Sequence, residues 1–189
     1  MTPWKRTLID LYLSRNALAR GTFTLAGGGT SDFYIDGRLV TTHPVGLRAI
    51  AHAMAQIISA EHLLPSGGTL VAPVLSGVPI VVALGLELKS PFVIDRGVAK
   101  SHGLSKRFEG HFNDSKTCLL IDDLITIGST ATRTIAGLRE IGKEVSDAVV
   151  LVDREEGARE ALQNLQVRLH ALLTKSELMA ALEESGNGK

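Results

Sequence analysis

Asp122 and Asp123 close the apolar run that begins at Cys118, and Leu124, Ile125, Thr126, Ile127, Gly128, Ser129 and Thr130 follow before a helical pattern sets in at about Ala131. A charge at the end of a buried strand needs a partner or water. Small residues let backbone amides turn inward, the hydroxyls add donors, and the start of a helix adds a positive partial charge, which together make a cradle for a phosphate. Two carboxylates would repel that phosphate. Their natural partners are ribose hydroxyls, which donate to carboxylates, or a hydrated Mg²⁺ bridging to a diphosphate. A phosphorylated sugar uses both halves of the motif. The plainer alternative is that the acids only cap a turn and solvate a strand end.

Other residues with chemical potential stand at similar places. Arg96, Lys100 and His102, with Lys106 and Arg107 close behind, lie in a glycine-punctuated polar stretch after the apolar run of "SPFVIDR". Such a cluster fits a lid that brings cations to a leaving anion and excludes water, or else a plain solvated loop. Arg154 follows "AVVLVD" and offers a planar fork to a carboxylate. Ser76 and Gly77, after "GTLVAPVL", can present backbone amides to an anion or form an ordinary turn. The single cysteine, Cys118, sits inside an apolar run and reads as a buried, inert thiol. His43, His52, His62, His111 and His170 read as surface or structural groups.

The elements that must position these residues follow from periodicity. Residues 1–18 read as an amphipathic helix, "GTFTL" and "FYIDGRLV" as short strands, and 44–60 as a helix with Leu47, Ile50, Met54, Ile57 and Ile58 on one face. Next come the strand "GTLVAPVL", the helix "SGVPIVVALGLEL" and the strand "SPFVIDR". "VAKSHGLSKRFEGHFND" breaks all periodicity and reads as a long loop or exposed hairpin. Strand, turn and helix follow from Cys118, then the strand and exit "SDAVVLVDREEGARE". Continuous apolar strands alternating with helices predict an α/β chain with a parallel sheet covered on both faces. In such a sheet ligands bind beyond the carboxyl ends of the strands, where the candidate residues stand.

Composition narrows the partners. The chain has 189 residues, 44% of them hydrophobic, enough for one full core. Twenty Lys plus Arg balance twenty Asp plus Glu, so no global field draws nucleic acid or an acidic membrane surface. The first residues lack the unbroken apolar stretch of a signal peptide or membrane span, so the expected location is the cytoplasm.

The stretch Leu119–Thr130 resembles the 5-phosphoribosyl 1-diphosphate (PRPP) signature of type I phosphoribosyltransferases: an apolar strand, two acids, two apolar residues, Thr, then a Gly/Ser/Thr turn. "RGVAKSHG", Arg96–Gly103, resembles the catalytic loop R-K-x-x-K-x-H-G of the orotate phosphoribosyltransferases. "LVDREEGARE" is similar to that family's strand ending in Asp-Arg, and "TLAGGGTSDFYIDGR" to its N-terminal substrate-binding segment. The similarity spans most of the chain in the family's order.

The resemblance implies a single domain over 1–189. A small N-terminal hood (1–42) would cap a core (43–175) built on a central, mostly parallel sheet flanked by helices, with a frayed tail over 182–189. It implies orotate and PRPP as substrates, Mg²⁺ held mainly through PRPP with Asp122, Asp123 and water, and a homodimer whose catalytic loops cross between subunits. It assigns Lys100, Arg96 and His102 to catalysis. PRPP falls to Asp122–Thr130 with Ser76 and Gly77, and orotate to Arg154, Thr126 and the backbone at Tyr34 and Ile35. Three positions where many members carry lysine read Ala26, Ser76 and Gly97. Gly97 removes a charge from the catalytic loop, worth about 2–4 kcal/mol if it acts like one lost oxyanion-hole donor.

Two other classes of function remain in view at this point: a transferase for a purine or another pyrimidine, and a non-catalytic PRPP or nucleotide sensor. No helix-turn-helix segment or basic surplus favours a DNA-bound sensor. A phospho-receiver domain would carry its acid pair near its start, whereas about two thirds of the chain precedes Asp122.

Overall fold

The structure, a computed structural model, describes residues 1–24, 30–97 and 107–186. Six strands form the central sheet in the order β5-β4-β3-β6-β7-β8: β3 (Thr69–Pro73), β4 (Phe92–Asp95), β5 (Phe108–Gly110), β6 (Cys118–Ile125), β7 (Asp147–Asp153) and β8 (Arg168–Thr174). All neighbouring pairs are parallel except β4 with β5. The chain leaves β3 toward β4 on one side and β6 toward β7 on the other, so the order reverses between β3 and β6. Their diverging carboxyl ends open a crevice there.

Helices cover both faces because the strands are apolar on both. Along β6, Leu119 and Ile121 pack with α1 (Pro3–Ser14), α3 (Pro44–Ala60), α4 (Gly77–Leu88) and α7 (Lys175–Glu184), while Cys118 and Leu120 pack with α5 (Ser129–Glu140) and α6 (Ala158–Gln163). Every residue of β3 and β7 is buried, as parallel strands under two helical layers require. In α3, Ile50, Met54 and Ile58 are buried and Leu47 and Ile57 partly so, the face expected from the sequence.

A two-stranded antiparallel sheet, β1 (Leu18–Thr24) with β2 (Thr30–Ile35), is separate from the central sheet. Arg20 of β1 pairs with Glu183 of α7, and Lys5 of α1 with Glu177 of the same helix. Helix α7 is itself started by a reciprocal cap in which Thr174 and Glu177 satisfy each other's backbone amides.

Several expectations are corrected. The strand expected over "FYIDGRLV" ends at Ile35, because Asp36 Oδ1 accepts from the Arg38 amide at 3.2 Å and turns the chain into the short helix α2 (Arg38–Thr41). β1 begins at Leu18, ahead of "GTFTL". Of the two readings given for Val98–Asp114, a long loop or an exposed hairpin, the described part agrees with the hairpin, since Phe108–Gly110 pair antiparallel with β4; residues 98–106 lie outside the described residues. The expected frayed tail over 182–189 is helical as far as Glu184, and Leu182 is 4% exposed against the core. Beyond the exit of β7, where the sequence reading assigned no element, the chain adds α6, β8 and α7.

Candidate active site

β6 carries its apolar run into the sheet and delivers Asp122 and Asp123 to the crevice. Asp122 pairs in register with Val150 and is 9% exposed. The Asp123 amide donates to Asp122 Oδ1 at 2.9 Å, and the Leu124 amide to Asp123 Oδ1 at 2.8 Å. Neither acid forms a salt bridge among the described residues. Burial, and secondarily the charge of Asp123, pushes Asp122 well above the usual carboxylate range; burial also raises Asp123, against the hydrogen bonds that lower it. The pair is held in an electrostatically unfavourable place, which is what a site awaiting hydroxyl donors or a cation looks like.

The crevice is a cleft of about 210 Å³ lined by all of Asp122–Ala131 together with Pro73, Val74 and Ser76. Gly128 takes φ +83°, turning the chain so that the first amides of α5 face the cleft without a carbonyl one turn back. Gly77 starts α4 flush against the acids: a Cβ there would lie 3.1 Å from Asp122 Oδ1. Ser76 lines the cleft, whereas Gly77 does not and is buried against Asp122.

Arg154 follows β7, and its amide donates to the Ile125 carbonyl at 2.9 Å, which fixes it beside Thr126. Its Nε donates to Glu156 at 2.9 Å. Nη2 lies equally near that oxygen but off the line of a hydrogen bond, and so is a buried donor without an acceptor. The guanidinium lies 4.8 Å from the centre of the Phe33 ring, and Lys175 Nζ lies 4.6 Å from the same ring. Strand β2 is thereby brought against the site through Phe33, a residue the sequence reading passed over. Tyr34 and Ile35 follow it on β2, but neither lines the cleft; the Tyr34 side chain is 40% exposed and Ile35 is buried.

Arg96 stands at the exit of β4 and lines a second cavity adjoining the cleft, with Nη1 2.6 Å from Glu109. Lys100 and His102 lie outside the described residues. Just before Arg96, Asp95 is 1% exposed. It accepts from Arg107 Nε at 2.8 Å and Nη2 at 2.9 Å, from the Thr134 hydroxyl at 2.7 Å and from the Gly97 amide at 2.8 Å. Burial raises this carboxyl, but the hydrogen bonds outweigh it and leave it below the usual carboxylate range. The signal was present in the sequence, since "FVID" has the same form as "LLID", an apolar run ending in an acid.

Cys118 is buried, and burial pushes its thiol up to about 11, consistent with an inert side chain. Tyr12 is fully buried near Asp123 and Asp36; burial, then those charges, raises its hydroxyl, which has no hydrogen-bond partner.

A phosphate cradle and paired acids at the switch point of a mostly parallel sheet define a phosphoribosyltransferase. The phosphoribosyl transferase domain family matches residues 39–168. The chain is 37% identical over 174 residues to the orotate phosphoribosyltransferase of Halobacterium salinarum, covering 92% of this chain and 96% of the relative. It is 37% identical to that of Methanopyrus kandleri, with 92% and 91% covered. The crystal structure of orotate phosphoribosyltransferase from Aeropyrum pernix superposes with a TM-score of 0.78 at 29% identity, over 95% of this chain and 99% of the other. The chain belongs to the orotate phosphoribosyltransferase family.

Proposed function

We propose that this chain transfers the 5-phosphoribosyl group of PRPP to orotate, giving orotidine 5′-phosphate and diphosphate in the pathway to UMP. The observation that supports this reading best is Arg154: a guanidinium 4.8 Å from the centre of the Phe33 ring, fixed by its backbone beside Thr126 and ion-paired with Glu156, its buried Nη2 still without a hydrogen-bond acceptor. It suits a base that carries its own carboxylate, and an uncharged base would leave that donor unmet.

In this reading the amides and hydroxyls of Thr126–Thr130 take the 5′-phosphate. Asp122 and Asp123 accept from the ribose hydroxyls, and Ser76 and Gly77 offer amides toward the diphosphate. N1 of orotate attacks the anomeric carbon as its bond to the diphosphate oxygen breaks; the electron pair leaves with the diphosphate, and the proton of N1 passes to the departing diphosphate or to water. Positive charge then grows on the ribose beside the two acids and negative charge on the leaving group, where Arg96 would act with Lys100 and His102. The acids also fit a hydrated Mg²⁺ carried in on PRPP, since they have oxygen donors and no cation of their own; the ion would neutralise charge on the diphosphate. Among the described residues no group of three or more His, Cys, Asp or Glu side chains is placed to hold a metal ion.

A homodimer sharing catalytic loops belongs to the same reading. It is supported by exposed apolar side chains on adjoining elements: Val45 on α3, Leu75 before α4, and Val82 and Leu86 one turn apart on α4. The proposed location is the cytoplasm; no described helix is long and apolar enough to cross a membrane.

The test is the fall in orotate absorbance when the purified protein meets PRPP and Mg²⁺, with diphosphate release followed in parallel and adenine, hypoxanthine and uracil as competing bases. Orotate consumption matched by diphosphate supports the reading. Consumption of another base, or PRPP binding without turnover of any, overturns it.

A further inference from the structure

The second cavity, of about 270 Å³, shares Pro73, Val74 and Thr130 with the main cleft, so the two are continuous. Three guanidinium groups line it, those of Arg96, Arg107 and Arg133. Its one carboxylate, Asp95, is already saturated by Arg107, Thr134 and the Gly97 amide. The cavity therefore carries excess positive charge.

The three arginines are not equally available. Arg107 is committed to Asp95 and to the Arg133 carbonyl. Arg96 is paired with Glu109. Arg133 has only a marginal contact, Nη2 to the Thr130 hydroxyl at 3.5 Å, and no carboxylate within salt-bridge distance among the described residues. Its neighbour Thr134 bonds Asp95, which turns this face of α5 toward the exits of β3 and β4. The cavity thus extends from Thr130 along α5 to the exits of β3 and β4, and Gly128 and Ser129 do not line it.

We propose that Arg133 binds the diphosphate of PRPP and the diphosphate set free by the reaction. This rests on the reading of the cleft as a PRPP site. As the anomeric bond breaks, one further unit of negative charge collects on the leaving group, and a planar fork one helical turn past the cradle meets it without drawing on the acids. Arg133 follows Thr130 by three residues on a regular helix, so backbone geometry holds its Cα in place and only the side chain moves to bind.

The test compares the full-length wild type with Arg133→Gln and Arg133→Lys. Calorimetry in Mg²⁺ measures binding of inorganic diphosphate and, separately, of ribose 5-phosphate. Arg133→Gln is expected to weaken diphosphate about tenfold and to change ribose 5-phosphate by less than about twofold, with Arg133→Lys recovering part of the loss. Unchanged diphosphate affinity in Arg133→Gln overturns the proposal. So does equal weakening of both ligands, which would mean a general field rather than a contact. Arg133 is exposed, so matching thermal midpoints verify that the variants fold. A wild type that binds neither PRPP nor diphosphate would instead fail the PRPP reading, and this inference would fall with it.

Discussion

Arg107 grips Asp95 with two parallel hydrogen bonds, Nε to Oδ1 and Nη2 to Oδ2, and in doing so joins the two ends of the segment that carries Lys100 and His102. The Gly97 amide is bound to the same carboxylate, and the Arg96 amide donates to the Arg107 carbonyl at 3.0 Å. Departure and return of the chain are thus fastened at one buried point, which Thr134 fixes to α5.

Replacing Asp95 with Ala leaves Arg107 without its carboxylate. Losing one partner of a buried pair costs about 3–5 kcal/mol, and denaturant midpoints measure it. The pH dependence has a definite sign. The folded-state pKa of Asp95 lies below its unfolded value, so its contribution is full above about pH 4 and is lost as pH falls through the folded value. The difference between wild type and Asp95→Ala should shrink only on that acid limb.

Asp122 behaves in the opposite sense. Its folded pKa is raised, so the charged carboxylate weakens the fold once pH climbs above the unfolded value of about 4. Asp122→Asn still accepts from the Asp123 amide but removes the charge. It is expected to raise the neutral-pH melting midpoint by about 2–4 °C while PRPP binding falls. Scanning calorimetry with and without PRPP reads both; a lower midpoint would contradict the electrostatic account.

Gly137 lies in α5 under the Arg107 guanidinium, where a Cβ would stand 2.2 Å from Nη1. Glycine to alanine inside a helix ordinarily stabilises by about 1 kcal/mol. Here Arg107 cannot yield without loosening its hold on Asp95, and Gly137→Ala should destabilise by about 1–3 kcal/mol. In an Arg107→Ala background the same change should turn stabilising, and a double-mutant cycle tests the reversal.

Phe33→Leu keeps an apolar side chain on β2 but removes the ring beneath Arg154 and Lys175. Cation–π contacts of this kind are worth about 0.5–2 kcal/mol, so the KM for orotate should rise about three- to tenfold with the KM for PRPP unchanged. Equal effects on both substrates would mean that Phe33 acts on the fold at large.

Lys100→Ala and Arg154→Ala chains, each expected to be inactive, should recover activity when mixed, provided that the lid serves the neighbouring site. Verified mixed dimers without recovery would place each site within one chain.

Much of this was legible from order alone. Apolar runs ending in small and acidic residues located β6 and its cradle, and the lining of the cleft is that loop. What stayed hidden are pairings across distance. Asp95 with Arg107 and Thr134, and Phe33 with Arg154, depend on which strand lies beside which, and no local pattern encodes that. The turn at Asp36 was hidden for another reason, since a single side-chain acceptor interrupted an otherwise strand-like alternation. Leu182 was misread as tail because a polar C-terminal segment conceals one buried contact.

The short β5 bears on how this chain meets others. A long parallel strand left at the rim would present a row of free amides and carbonyls to any passing strand. On that side β4 is instead covered by an antiparallel strand of only three residues ending at Gly110, which leaves little template to extend. The opposite rim, β8, is guarded by Arg168, engaged with Asp147. Each rim of the central sheet thus carries a feature that discourages the addition of a further strand.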